Sequence, residues 1–170
     1  MAEAEAGTEP SASIAARLAH VDARLAFEID VVAAAAAVAA GEAVLVDTRR
    51  RESWDHGHIA GALHLPKETR DARIAELPRD RTLIVYGWGP GCNGATVAAR
   101  ELLAGGLDTR ELLGGYEYWV RNGFAIEKGD VTTHPTPDPL VTAETHGAES
   151  SGESHRPDAA ASAASGRSPA

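Results

Sequence analysis

The chain has 170 residues, a length that suits one domain of ordinary size, and 44% of them are hydrophobic, enough to bury a core. Its formal net charge is -9, and it carries neither the basic stripe that nucleic acids require nor a basic amphipathic stretch suited to a membrane surface. No apolar run approaches the ~18 residues of a spanning helix, which excludes a membrane span.

The opening residues 1–13 hold Glu3, Glu5 and Glu9 and no base, the opposite of an export signal's positive start, so a cytoplasmic location is expected. This opening is read as disordered. Ser13 to Ala19 has the spacing of a short helix, and Leu25 to Ile29 alternates apolar and polar residues like an edge strand. Asp30 is placed to cap the alanine-rich helix that follows, and Gly41 to end it. Ala43 to Val46 and Thr82 to Tyr86 are the near-continuous apolar runs of strands buried on both faces. Ala62 to Leu65 is a shorter strand closed by Pro66, and Ala95 to Leu103 a helix ended by Gly105 and Gly106. Arg110 to Leu113 is a last strand, and Tyr116 to Asn122 a last helix ended by Gly123.

From Gly129 onward there is no Phe, Trp or Tyr, and Pro, Ser, Ala and acidic residues dominate. Such a segment cannot offset a chain entropy of roughly 1–2 kcal/mol per residue. Residues 129–170 are therefore expected to be a disordered acidic tail, and residues 14–128 the folded domain. The charge divides accordingly: -3 before residue 14, -4 after residue 128 and -2 in the body. Strands separated by helices of this length imply an α/β fold, a mainly parallel sheet of about five strands with helices on both faces. Ligands sit at the carboxyl ends of strands in such sheets, which singles out the segments after Val46 and after Tyr86.

The second of these reads Gly87-Trp-Gly-Pro-Gly-Cys-Asn-Gly94 and leads directly into a helix. Its glycines let backbone amides converge beside a helix start, an arrangement that favours an anion. It lacks the lysine and the spacing of a nucleotide-binding loop. Cys92 is the single cysteine, so an intrachain disulfide and a cysteine-built zinc site are excluded and any thiol chemistry runs through it. A cysteine near a helix start is suited to act as a nucleophile, although a lone cysteine equally serves as a small buried apolar residue. His56, His58 and His64 invite a metal reading, but His56 and His58 flank Gly57 in a turn and complete no familiar zinc pattern. Trp54 and Trp119 are assigned to packing, and Trp88 either to packing or to the mouth of a site.

Three separated blocks together resemble a single rhodanese-like domain, the fold of the sulfurtransferases. Asp47-Thr-Arg-Arg-Arg-Glu-Ser-Trp-Asp-His-Gly-His-Ile-Ala-Gly-Ala62 is similar to that family's Asp-x-Arg and Gly-His-Ile-x-Gly-Ala pattern. Leu83 to Ala99 resembles its strand, active-site loop and helix, and Leu113-Gly-Gly-Tyr-Glu-Tyr-Trp-Val-Arg-Asn-Gly123 its closing Gly-Gly and Trp element. The resemblance covers roughly residues 25–127.

It implies that a cysteine directly after the strand takes a sulfane sulfur from a donor such as thiosulfate, carries it as a persulfide, and passes it to a thiol or cyanide. That position holds Gly87 here. The loop is also about two residues longer than the common form and has no Arg or Lys, so it resembles a subgroup whose loop reads Cys-Trp-Gly-Pro-Gly-Cys-Asn-Gly. This chain keeps only the second cysteine of that pair. Phosphatase relatives of the fold need both a cysteine and an arginine bracketing the loop, so that activity is not expected. The resemblance makes Cys92 the catalytic residue of a sulfurtransferase, with Gly87, Trp88, Gly89, Gly91, Asn93 and Gly94 forming the substrate- or anion-binding loop. It also makes Asp47 and Arg49 a structural ion pair, and His58 a hydrogen-bonding residue of its turn. No cofactor or metal is expected. The partner would be a small sulfur-containing anion, a thiol acceptor or another protein. The alternative is a catalytically inactive module of the same fold that uses the cradle to bind an anion or a protein partner.

Overall fold

A computed structural model describes residues 9–141. The chain opens with helix α1 (Glu9–Phe27), then strand β1 (Glu28–Ile29) and helix α2 (Val31–Ala39). Strand β2 (Ala43–Asp47) leads through the short helix α3 (Arg51–His56) to the two-residue strands β3 (His58–Ile59) and β4 (Leu63–His64). Helix α4 (Lys67–Arg73) and a 3₁₀ turn at Ile74–Glu76 return the chain to the central strand β5 (Thr82–Tyr86). Helix α5 (Gly94–Ala104), strand β6 (Thr109–Leu112) and helix α6 (Gly115–Arg121) follow, and the hairpin β7 (Ile126–Lys128) and β8 (Val131–Thr133) closes the described chain.

Five strands form a parallel sheet in the order β1-β6-β5-β2-β4, as the alternating pattern implies. The two apolar runs feed both faces because successive side chains point to opposite sides. Leu45, Ile84 and Tyr86 enter one core with Val31, Ala34 and Trp119. Val46, Leu83 and Val85 enter the other with Ala95, Ala99 and Leu102. Asp30 caps α2 as expected, its Oδ1 accepting from the Val32 and Ala33 amides at 2.9 Å.

Several elements differ from the sequence expectations. The short helix and the edge strand at the start merge into the 19-residue α1, and only Glu28 and Ile29 pair with β6. No Gly or Pro interrupts residues 13–27, and Ala, Leu and Arg are strong helix formers, so the helix outlasts the alternation at its end. A second, antiparallel sheet, β3-β7-β8, was not expected. Its strands are two or three residues long, too short for periodicity to register. The expected domain boundary at Lys128 falls inside this hairpin, since Lys128 pairs with Val131. Beyond it Asp138 returns to α6, where Arg121 donates to its Oδ2 at 2.8 Å. Residues 129–141 are thus attached to the body, while the rest of the expected disordered tail and residues 1–8 lie outside the described residues.

Candidate active site

The order of the sheet puts β5 between β2 and β6, so the chain leaving Tyr86 emerges at the middle of the carboxyl edge. Gly87 to Asn93 make the loop there, and α5 begins at Gly94. Asn93, at the helix N-cap, makes no side-chain cap bond, so the first-turn amides of α5 carry no such partner. The Cys92 amide donates to the Gly89 carbonyl at 3.0 Å, a tight turn that folds the second half of the loop back over the first.

That turn decides where the thiol lies. A Cβ built at Gly87 would stand 3.3 Å from the Cys92 Sγ and 3.7 Å from the Ala95 amide nitrogen. Gly87 has no positive φ, so a side chain is conformationally acceptable there, and the space it would enter holds the Cys92 sulfur. Residue 92 thus delivers a sulfur to the strand end where position 87 supplies none.

Helix α6 fixes the other side of the loop. The Tyr116 amide donates to the Gly87 carbonyl at 3.0 Å and the Glu117 amide to the Trp88 carbonyl at 2.9 Å. This approach needs Gly115, whose φ is +56° and whose Cβ would stand 2.8 Å from the Gly87 carbonyl oxygen. Two openings meet at the loop. A cavity of about 570 Å³ is lined chiefly by Trp88, Cys92, Tyr116, Glu117, Val120 and Arg121. The second, a cleft of about 300 Å³, brings Gly87, Cys92 and Ala95 together with Arg24, Glu28 and Glu111.

Beneath the loop, Arg49 and Asp47 form the expected ion pair, Nη2 to Oδ2 at 2.6 Å with side chains 2% and 0% exposed. Arg49 also donates to the Gly57 carbonyl at 2.8 Å. Its guanidinium carbon lies 4.6 Å from the centroid of the Trp88 ring, 4.1 Å from that of Tyr116 and 5.5 Å from that of Tyr86. The Nη1 group has no hydrogen-bond partner and is served by these ring faces instead. Burial, followed by the Asp47 charge, pushes the Tyr86 hydroxyl well above its ordinary range, so it stays protonated. It accepts from the Ile59 amide at 3.1 Å.

The structure places the remaining sequence candidates as follows. Trp88 is half exposed and lines the larger cavity, with its ring edge-on to Tyr116 at 6.0 Å. Gly89 faces Glu117, whose Oε2 would be 2.7 Å from a Cβ there, so this one position of the loop lies against a carboxylate. Gly91 has open space around it, and Gly94 flanks the Cys92 sulfur. His58 is buried, stacked 3.4 Å from Trp54, and its Nδ1 meets the Trp54 carbonyl at 3.1 Å. Its Nε2 lies 3.4 Å from Glu127. Trp119 is buried and donates to the Ala125 carbonyl at 2.9 Å. Among the described residues, no three His, Cys, Asp or Glu side chains converge on a metal position.

The sequence reading did not assign Tyr116, Glu117, Arg121, Glu28 or Glu111 to the site. The doublet Gly114-Gly115 was the available signal, because paired glycines of positive φ at a helix start mark a close approach of two backbones. The charges these residues bring are largely paired already. Arg121 is bound to Glu117 at 2.9 Å and Asp138 at 2.8 Å, and Arg24 to Glu28 at 2.7 Å. Burial raises the Glu111 carboxyl above its ordinary value, Thr96 donates to it at 3.0 Å, and the nearby Glu28 charge raises it further.

Known proteins share this architecture. Over 95 residues, or 56% of its length, the chain is 35% identical to an HTH-type transcriptional regulator, Rv0324, of Mycobacterium tuberculosis. That match spans 42% of the regulator, so the chain corresponds to less than half of it. It is 27% identical over 95 residues to the thiosulfate sulfurtransferase GlpE of Coxiella burnetii, covering 56% of this chain and 78% of that one. The crystal structure of BH2092 protein from Bacillus halodurans superposes with a TM-score of 0.60 at 31% identity, covering 71% of this chain and 92% of that one. No helix among the described residues is long and apolar enough to cross a membrane. With residues 30–122, more than half of its length, matching the rhodanese-like domain, the chain belongs to that family.

Proposed function

We propose that this protein is a sulfurtransferase that carries sulfane sulfur on Cys92. One observation supports this above the others: the Cys92 Sγ occupies the space beside Gly87, 3.3 Å from the point where a side chain at the strand end would begin. The uncapped start of α5 faces the same space and favours the anion that delivers sulfur. In the transfer, the Cys92 thiolate attacks the outer sulfur of a thiosulfate-like donor. The donor's S–S bond breaks and sulfite leaves with the electron pair. A thiolate or cyanide then takes the outer sulfur from the persulfide and Cys92 departs as thiolate. No cofactor enters the balance. A reducing cytoplasmic setting suits a mechanism that needs its one thiol free.

The loop itself carries no Arg or Lys, and the two arginines at its openings, Arg24 and Arg121, are bound to Glu28 and Glu117, so little positive charge is left to attract a dianionic donor and turnover with thiosulfate is expected to be slow. Gly87 itself favours the second reading, a binding module without chemistry. Incubation with thiosulfate followed by intact-mass measurement separates the two. An adduct of one sulfur atom on the wild type that vanishes in Cys92→Ser supports transfer through Cys92. In the double variant Gly87→Cys with Cys92→Ser, the cradle can be tested with a thiol directly after the strand. A wild type that stays unmodified while this variant loads would overturn the Cys92 reading. Failure of both to load would favour the binding module.

A further inference from the structure

Helix α1 stands largely clear of the packed body. From Ile14 to Ala26 every residue is exposed, and only Phe27 at its end packs partly against the core. The body holds just the carboxyl end, where Arg110 donates to the Leu25 and Glu28 carbonyls. A helix of this length without a packed face is marginal in water, because stability in proteins comes chiefly from burying one face. Here that face exists but is bare: Ile14, Leu18, Val21 and Leu25 are 64%, 60%, 49% and 69% exposed. Their spacing of four, three and four is that of a heptad seam, with Ile14 and Val21 at d and Leu18 and Leu25 at a.

The occupant of this seam can be narrowed from the sequence. Outside the described residues the chain has Met1 as its one large apolar side chain, so residues 142–170 supply nothing to cover four aliphatic side chains. The flanks carry the choice further. In the same register Arg17 and Arg24 fall at g, and Ala15 and Asp22 at e. A parallel pairing of two identical helices sets each Arg17 against Asp22 of the other copy, giving two ion pairs by symmetry. An antiparallel pairing would set Arg17 against Arg24. Arg24 is already held by Glu28 at 2.7 Å, and its seam neighbour Leu25 ends the apolar stripe where the body begins.

We propose that α1 is a self-association element, through which copies of this chain pair in parallel along the Ile14, Leu18, Val21 and Leu25 seam. The domains then lie side by side at the carboxyl end of the helices. The loop of Gly87 to Asn93 lies outside the seam, so association does not depend on sulfur chemistry. Leucine at a with β-branched residues at d favours bundles larger than two, so a mass of roughly two to four copies is expected.

Sedimentation of the full chain across a micromolar concentration series tests this. The wild type should assemble, and Leu18→Asp should sediment as a monomer with an unchanged melt of the body. Asp22→Arg should weaken association about tenfold, and the exchange Arg17→Asp with Asp22→Arg should restore it. A wild type that is monomeric throughout would overturn the proposal and leave the face to a different protein. Association that survives Leu18→Asp would overturn the seam, and failure of the charge exchange to restore association would overturn the parallel register.

Discussion

Asp47 is fully buried, and a buried carboxylate persists only when every lone pair is used. It accepts from the Arg49 amide at 2.9 Å and from the Arg49 guanidinium at 2.6 to 3.1 Å. The pair spans only two residues, so Arg49 folds back over the end of its own strand and under Trp88 and Tyr116. Removing Asp47 would strand an uncompensated guanidinium among three aromatic rings. Asp47→Ala should therefore lower stability by about 3–5 kcal/mol, seen as an early thermal melt. Sulfur loading of the folded fraction at low temperature should persist. An unchanged melt with loading abolished would make Asp47 part of the site. This pair was legible in the sequence through the resemblance, whose Asp-x-Arg pattern falls on Asp47 and Arg49 at the carboxyl end of an apolar strand run. The Cys92 placement was not, because the sequence gives no direction for a side chain five residues along a glycine-rich loop.

At the scale of elements, β2 and β5 were legible and the small antiparallel sheet was not, for one reason. The central strands bury both faces and read as unbroken apolar runs, whereas β7 and β8 are half-buried to exposed and rest on a few backbone bonds. Helices α3 and α4 were missed likewise, since Arg51 to His56 and Lys67 to Arg73 are mostly polar and show no apolar stripe. The contact that shapes the site belongs to this scale too. Helix α6 meets the loop backbone to backbone at Gly115, with the Tyr116 and Glu117 amides bonded to Gly87 and Trp88. A methyl group at Gly115 would lie 2.8 Å from the Gly87 carbonyl oxygen, 3.1 Å from the Gly89 amide nitrogen and 3.2 Å from the Trp88 carbonyl carbon, on a backbone with φ of +56°. Backbone atoms cannot move aside as a flexible side chain can. Gly115→Ala should cost about 1–3 kcal/mol and reduce persulfide loading of Cys92 even in protein that remains folded. Loading equal to wild type, with a lowered melt, would show that the loop holds its shape without α6.

At the scale of the whole molecule, charge and composition suggest an ending at Lys128, and the structure argues for a later one. Beyond that residue β8 pairs with all three residues of β7, which in turn pairs with the His58-Ile59 strand of the Gly-His-Ile turn. The chain then crosses α6. Pro135 and Pro137 lie so close to Gly123 that a Cβ there would stand within 2.9 Å of both, and Asp138 reaches Arg121 on the rim of the larger cavity. These contacts are individually modest, because cross-strand pairs contribute roughly 0.2–1 kcal/mol each and a half-exposed ion pair about 0–1 kcal/mol. Together they amount to about 2 kcal/mol, which in a domain of this size shifts the melt by roughly 5–10 °C. A chain ending at Lys128 should therefore melt lower by that amount, whereas one ending at Val141 should melt with the full-length protein. The shorter chain should also leave Arg121 with Glu117 alone, loosening the side of the cavity that faces Trp88. Limited proteolysis gives an independent reading, since the resistant fragment should run past Pro139 rather than stop near Lys128. Equal melts for the two truncations, with cleavage near Lys128, would show that residues 129–141 add nothing to the fold.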